Sequence, residues 1–402
     1  MHLLRVQVPD FRGLKNIDIT FEKDFVPNIF PLGSQNGGGK STLLQLIFVL
    51  LHCSVDDDKK PFLQNLLQGF KVASGAEKRV LALIDIWDGE KIVKIEFFCN
   101  KFPSLENMLG DSDKNLNSQE LSYDYIDEAP NSKVIDICCI LRDQENQEKN
   151  ILPNTNLIEI TRLQCSLNNN QSKAKSQLFL ENISHKIFLA APSTQVFLFL
   201  PLESRKLLFS NSSKKDKNYY AILESARSKL NGLFTYDFLA VKLLIESFKA
   251  VRDRDFREAI KTGNYGNSYQ SLIKELNRLL GNKRINVNED LSGVNFQVYN
   301  NGETIELYPE DLSHGELKRL SIYAWLKSRN IEDAIVLMDE IEIAFHPDWQ
   351  YQIISDLKEW GPSNQYILAT HSYALCEALT PAHVKEIEPK LIKQESNIRN
   401  ES

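Results

Sequence analysis

One run of ten residues constrains this chain more than any other: Gly33-Ser34-Gln35-Asn36-Gly37-Gly38-Gly39-Lys40-Ser41-Thr42. It lies between a short apolar run at 29–32 and a long one at 43–51. An apolar strand, a glycine-rich turn and an apolar helix in that order predict an α/β fold in which a buried strand feeds a buried helix. The glycines let the backbone curl until successive N–H groups point into one concavity, and the helix start adds the positive end of its dipole. Such a concavity takes phosphate groups. Asn36, Gly37, Gly38 and Gly39 would line it, Lys40 would reach the β- and γ-phosphates, and Thr42 would support the α-phosphate side. Ser41 would place its hydroxyl on Mg²⁺, which makes ATP with Mg²⁺ the expected cofactor pair. The strict spacing puts glycine at 34, whereas here Ser34 stands there and Gly33 comes one place earlier.

A phosphate loop needs a second oxygen ligand for the metal and a group to handle the attacking water. Ile335-Val336-Leu337-Met338-Asp339-Glu340 supplies both. Four apolar residues make a buried strand, and the two carboxylates emerge at its C-terminal edge, where open α/β sheets bind ligands. Asp339 would hold Mg²⁺, and Glu340 would act as the catalytic residue that orients or deprotonates water. Leu312-Ser313-His314-Gly315-Glu316 precedes an apolar-striped helix and carries a capping box, Ser313 to Glu316. Read alone, it is a well-capped helix or an anion site built on a helix start and a serine hydroxyl.

These residues also resemble a known superfamily. Leu312–Glu316 is similar to the signature motif of ABC-type ATPases in the LSxGE form of Rad50, SMC and RecF-like proteins, with His314 where glycine is usual. Phe11-Arg12-Gly13-Leu14-Lys15-Asn16-Ile17 resembles the opening of RecF, Rad50 and OLD-type ATPases. Asp339-Glu340-Ile341-Glu342-Ile343-Ala344-Phe345-His346-Pro347 resembles the Walker B extension of the AAA_21/OLD-like branch, with Ile341 in place of proline. Phe197 to Arg205 is similar to that branch's LPAER segment, with Leu202 for alanine and Ser204 inserted. The resemblance covers 1–52 and 305–376. It implies an ABC-type head, with a P-loop core sheet, an antiparallel β lobe and a helical insertion between Walker A and the signature. It implies that Ser313 and Gly315 face the γ-phosphate held by a second subunit, so that a homodimer or higher homo-oligomer sandwiches ATP. It also implies that His371, in Ala369-Thr370-His371-Ser372, is the catalytic switch histidine and that Arg12 joins the nucleotide contacts. Gln164 and Gln195 both stand as candidates for the glutamine loop.

The chain has 402 residues, which suggests two to three domains. The expected division is an N-terminal ATPase lobe over 1–200, a helical and basic insertion over 201–290, a C-terminal ATPase lobe over 291–389, and a charged, disordered tail over 390–402. Expected strands are 2–8, 17–21, 29–32, 80–87, 91–98, 134–141, 196–200, 334–338 and 366–369, with a hairpin over 294–307. Expected helices are 40–51, 313–328 and most of 203–285, broken at 212–217 and 263–267. The polar stretches 101–131 and 166–176 read as loops.

Net charge is −7, which argues against a surface coated for nucleic acid. That total hides an asymmetry: 201–290 carries 17 Lys/Arg against 11 Asp/Glu, a local +6 that leaves −13 for the remainder. This excess is either a solvated helical surface or a basic face for DNA, with Arg252, Arg254 and Arg257 at its centre. The six cysteines show no metal-binding spacing and are expected to be reduced thiols. No apolar run approaches the ~18 residues of a membrane span, and residues 1–10 do not read as a signal peptide, so the expected compartment is the cytoplasm.

Several functions are disfavoured by spacing. Lys40 and Ser313 are 273 residues apart, longer than in transporter motors. The insert is too short, and too poor in heptads, for the long arm of an SMC protein or Rad50. Only 26 residues follow Cys376, which leaves no room for the Toprim domain of OLD nucleases. The expectation is therefore a separate nuclease subunit of HNH type, as in the Septu anti-phage ATPases that this chain resembles. A RecF-like repair ATPase and a nucleotide-gated scaffold with little turnover remain open alternatives.

Overall fold

The computed structural model describes residues 1–34, 37–70, 72, 76, 78–100, 137–144, 157–161, 170–209, 219–236, 240–300 and 303–387. In chain order its elements are β1 (His2–Phe11), β2 (Leu14–Thr20), β3 (Ile29–Gly33), α1 (Lys40–Cys53), α2 (Lys60–Leu66), β4 (Lys78–Trp87), β5 (Ile92–Asn100), β6 (Ile137–Gln144) and β7 (Leu157–Thr161). Next come α3 (Asn170–Ser184), β8 (Ile187–Ala191), α4 (Leu202–Lys206), α5 (Tyr219–Lys229), β9 (Leu233–Thr235), α6 (Ala240–Thr262) and α7 (Ser268–Leu280). The remainder is β10 (Lys283–Val287), β11 (Val294–Asn300), β12 (Glu303–Leu307), α8 (His314–Ser328), β13 (Ile335–Asp339), α9 (Pro347–Trp360), β14 (Gln365–Ala369), α10 (Tyr373–Glu377) and β15 (Lys385–Glu386).

The fold is α/β. A central parallel sheet runs β15-β3-β14-β13-β8-β9. Its inner strands are apolar on both faces because both faces are covered. Ile335, Leu337, Ile367 and Ala369 pack into the cluster that contains Leu43, Leu46 and Ile47 of α1. The alternate residues Val336, Met338, Tyr366 and Leu368 join Leu320, Ile322 and Trp325 of α8 on the other side. An antiparallel sheet runs β2-β1-β4-β5-β6-β7, and a smaller one runs β10-β11-β12. Gln365, fully buried, joins the antiparallel lobe to the core: its Oε1 accepts from the Leu3 N–H at 2.7 Å and its Nε2 donates to the Leu3 carbonyl at 2.9 Å.

The hairpins expected over 80–98 and 294–307 are present as β4–β5 and β11–β12. The strand expected over 134–141 lies at 137–144. The strand expected over 196–200 is absent, and the strand of this region is β8 instead. The apolar run 196–200 buries itself without pairing: Gln45 of α1 takes the N–H of Leu198 at 2.6 Å and donates to the carbonyl of Val196 at 3.3 Å, doing the work of a neighbouring strand. Within the stretch read as helical, Leu233–Thr235 is a strand paired with β8 at the sheet edge. Within 166–176, read as loop, α3 begins at Asn170. Residues 101–131, 166–169, 212–217 and 390–402 lie outside the described residues. Cys53, Cys99 and Cys376 are free thiols. Among the described residues no helix is long and apolar enough to cross a membrane.

Behind the site, Arg319 of α8 grips Asp356 of α9 through two parallel hydrogen bonds, Nε–Oδ2 at 2.7 Å and Nη2–Oδ1 at 2.9 Å, with both side chains 8% exposed. A buried pair loses most when one member goes, because the other charge is stranded. Asp356→Leu should therefore lower the free energy of unfolding by about 3–5 kcal/mol, and Arg319→Met with Asp356→Leu should recover most of it. Urea unfolding of the three proteins checks this.

Candidate functional site

The glycine-rich loop leaves β3 at Gly33 and enters α1 through Gly39. Gly37 and Gly39 are left-handed, with φ of +80° and +88°. A Cβ on Gly39 would also lie 2.5 Å from Cδ2 of Leu14, which would have to shift, but it is the positive φ that favours glycine there. The cap of α1 has no side-chain hydrogen bond and its first turn holds no acidic residue, which leaves an open anion-binding end. Lys40 is buried. Its Nζ donates to the Ser34 carbonyl at 3.2 Å and to Ser34 Oγ at 2.9 Å, and lies 3.5 Å from His371 Nδ1. Burial lowers the Lys40 pKa, against the pull of Asp339, Glu342 and Glu340. Ser34, a departure from the strict pattern in sequence, thus parks the lysine. Gly38 is buried and Thr42 half-buried, and Asn36 lies outside the described residues.

The acidic side is set by strand register. Leu32, Ala369 and Asp339 lie level across β3, β14 and β13. Asp339 is 1% exposed; its Oδ1 accepts from Ser41 Oγ at 3.0 Å, and its Oδ2 has no partner. Burial pushes its carboxyl up to about 7; the Ser41 hydrogen bond opposes this, and the neighbouring Glu340 and Glu342 reinforce it. Glu340 follows in a left-handed conformation, φ +50°. Its N–H donates to the Ala369 carbonyl at 2.9 Å and its carbonyl accepts from Lys318 Nζ at 2.9 Å. Glu342, to which the sequence pattern assigns no role, belongs here: its Oε1 accepts from the His371 N–H at 2.7 Å, and its Oε2 is buried without a partner among the described residues. Its place three residues after Asp339 on one short turn was the signal available.

Two buried carboxylate oxygens without partners, beside a serine hydroxyl, suit a hard divalent cation. Among the described residues no cluster of three His, Cys, Asp or Glu side chains forms an all-protein cage. Mg²⁺ does not need one, since one or two carboxylates and the phosphates suffice. Ser41 and Asp339 are the residues that would hold it.

Lys40, Ser41, Asp339, Glu340 and His371 therefore converge. Ser313 and Gly315 do not join them within one chain. Ser313 is exposed and caps α8, its Oγ accepting from the Glu316 N–H at 3.2 Å while Glu316 Oε2 accepts from the Ser313 N–H at 2.9 Å. Among the described residues no hydrogen bond links Ser313 to Lys40, Ser41, Asp339 or His371. Gly315 is packed rather than open, since a Cβ there would lie 2.6 Å from the Ala344 carbonyl. Arg12 sits in the β1–β2 turn at φ +53°, donates to the Leu66 carbonyl at 2.8 Å, and stands two residues from the leucine that touches Gly39. Gln195 lies in the loop after β8, and Gln164 falls outside the described residues.

The Asp339 carboxyl has a definite pH signature. Its folded value of about 7 lies above that of an unfolded carboxyl, so the folded chain keeps a proton that the unfolded chain has released. Without metal, stability from this group is lost as pH rises from about 4 to about 7. Asp339→Asn should flatten that part of the profile; thermal melts in chelator across this range check it.

Comparison with known proteins adds a family. The profile described as "AAA domain, putative AbiEii toxin, Type IV TA system" (AAA_21) matches residues 35–377. Over 116 residues the chain is 31% identical to "Retron Vc95 probable ATPase" of Vibrio cholerae serotype O1 biovar El Tor, covering 25% of this chain and 22% of that protein. The match thus spans about a fifth of that relative's length. The SMC head domain from Thermotoga maritima aligns at 10% identity and a TM-score of 0.44, covering 94% of this chain and 92% of that one. The SmcHead bound to the C-winged helix domain of ScpA aligns at 14% identity and a TM-score of 0.38, with 94% and 92% covered. The fold stands on the sheet order above rather than on these likenesses. Because the profile match runs through most of the chain, from the phosphate loop past His371, this protein belongs to the AAA_21 family of P-loop ATPases.

Proposed function

We propose that two copies of this chain close around ATP–Mg²⁺, hydrolyse it slowly, and use the closed form to control a nuclease partner or DNA in anti-phage defence. One observation supports the dimer: among the described residues, Ser313 is exposed and bonds to Glu316 rather than to Lys40, Ser41, Asp339 or His371 of its own chain. Tyr373, two residues after His371, is 86% exposed, and Ile343, next to Glu342, is 51% exposed. In this proposal Tyr373 and Ile343, which follow His371 and Glu342 closely in the chain, meet the second copy. Among the described residues the Ser313 hydroxyl is engaged within its own capping box.

In this reading Lys40 leaves Ser34 for the β/γ-phosphates, and the α1 N-terminus and Gly37–Gly39 hold the phosphate oxygens. Ser41 and Asp339 hold Mg²⁺, which neutralises charge on the transferring group. Glu340 orients the attacking water, and His371, whose backbone Glu342 holds, addresses the γ-phosphate. Ser313 and Gly315 of one copy complete the site of the other. The helices α6 and α7 within 201–290 would serve as the arm. Arg252, Arg254 and Arg257, exposed on α6, would offer DNA a basic face. A relative named as a retron ATPase and a family described by toxin–antitoxin systems support a defence role; the partner in this proposal is a separate nuclease chain of HNH type, and the compartment the cytoplasm.

Glu340→Gln should reduce hydrolysis by about 10²-fold or more while ATP still binds, because a positioned base contributes that much. ATP–Mg²⁺ should then shift the mass in solution to a dimer, more fully than in the wild type. A mass that ignores bound ATP would mean a constitutive assembly and favour a scaffold. Charge reversal at Arg252, Arg254 and Arg257 should weaken DNA binding and flatten the log–log salt slope by about 2 to 3, as expected for about three lost phosphate contacts. Salt titration of binding to duplex DNA reads this; an unchanged slope makes the face solvated surface only.

A further inference from the structure

Lys318 lies on α8, five residues after Ser313, and is buried. A buried ammonium needs acceptors, and its placement shows which ones the fold provides. Nζ donates to the Glu340 carbonyl at 2.9 Å and to the Ile343 carbonyl at 3.1 Å. It also rides 4.0 Å above the ring of Tyr236, whose hydroxyl donates to the Ala190 carbonyl at the end of β8. The lysine therefore ties the signature helix, the turn after β13 and the end of β8 to one another.

That turn needs holding. Glu340 and Ala344 are both left-handed, at φ +50° and +71°, where a residue with a side chain is not at ease. The two peptide groups flanking Glu340 are pinned, the N–H by Ala369 and the C=O by Lys318. A second contact lies three residues earlier on α8, where Gly315 passes so close to the Ala344 carbonyl that a Cβ would stand 2.6 Å from it. Helix α8 thus presses on both ends of the 340–344 turn. The hydrogen bonds that Lys318 gives the turn go to the carbonyl oxygens of Glu340 and Ile343, and these fix its backbone.

We propose that Lys318 is a positioning residue for the catalytic step: it fixes the backbone of Glu340 and transmits any shift of the signature helix to that carboxylate. This rests on the reading of Glu340 as the group that orients water. Engagement of Ser313 by nucleotide on a second copy would then be felt at Glu340 through Lys318 on the same helix.

The test uses the full chain with Lys318→Met and Lys318→Arg, each also combined with Glu340→Gln. Two measurements are made: steady-state hydrolysis of ATP–Mg²⁺, and amide hydrogen exchange of the peptide spanning 339–345. For Lys318→Met, kcat should fall about 10- to 100-fold with the dissociation constant for ATP within about 3-fold, and exchange should quicken in 339–345. Lys318→Arg should restore part of both. On a Glu340→Gln background, Lys318→Met should add less than about 3-fold, because the two residues act through one group. Wild-type kcat in Lys318→Met, unchanged exchange in 339–345, or full multiplication of the two defects would overturn the proposal. If Lys318→Met does not fold, Lys318→Arg and Tyr236→Leu carry the same test, and wild-type kcat with unchanged exchange in both would overturn it. Failure of the Glu340 reading looks different: Glu340→Gln itself would then hydrolyse ATP at the wild-type rate.

Discussion

The register of the parallel sheet is the constraint on which the rest of this structure depends. Asp339 pairs with Ala369, and Ala369 with Leu32. Three strands from distant parts of the chain therefore end level. The residues that follow them, from Ser34, Glu340 and Thr370 onward, leave the sheet at one edge. Phosphate loop, acidic turn and histidine meet because three buried, apolar strands have a single way to interdigitate with the layers above and below. A shift of one residue in β13 would send Leu337 to the α8 side and Met338 to the α1 side, against both clusters.

Most of that arrangement is legible in the sequence because each of its parts is punctuated. Glycines mark the loop, and a continuous apolar run followed by two carboxylates marks β13. Asp88-Gly89 marks the β4–β5 turn, where Asp88 Oδ1 accepts from the N–H groups of Glu90 and Lys91 at 2.8 Å each. The failures share one cause. Val196–Leu200 and Ile187–Ala191 are both short apolar runs, and periodicity cannot tell a paired strand from a buried irregular segment. What separates them is a tertiary partner, Gln45, 151 residues before Val196. Likewise Leu233-Phe234-Thr235 is too short for any pattern, and only the exposed edge of β8 makes it a strand. In the site, the roles of Glu342 and Lys318 come from backbone groups they hold, and a sequence does not show which carbonyl a lysine will reach.

The electrostatics of the site are those of a receptor waiting for charge. A buried carboxylate with one oxygen satisfied, a second with one oxygen free, and an ammonium resting on neutral oxygens are each unfavourable alone. Ser41 and Ser34 moderate the cost without removing it. A phosphate with its cation would satisfy several of these groups at once, so the same defects that weaken the empty fold favour the occupied one. The neighbouring pair Arg319–Asp356 shows the contrast: it is equally buried but fully mated, and it holds helices rather than ligand.

The order β15-β3-β14-β13-β8-β9 also says when the site can come into being. β3, at residues 29–33, has as its neighbours β14 at 365–369 and β15 at 385–386. During synthesis the phosphate loop leaves the ribosome early, yet the strand that must flank it is made more than 330 residues later. A nascent chain can assemble the β1–β2 and β4–β5 hairpins as it grows, but not the sheet edge on which nucleotide binds. The loop-closure entropy of that last pairing falls due only near the end of translation. A chain truncated before β14 would therefore carry the complete glycine-rich loop without the strand that flanks it.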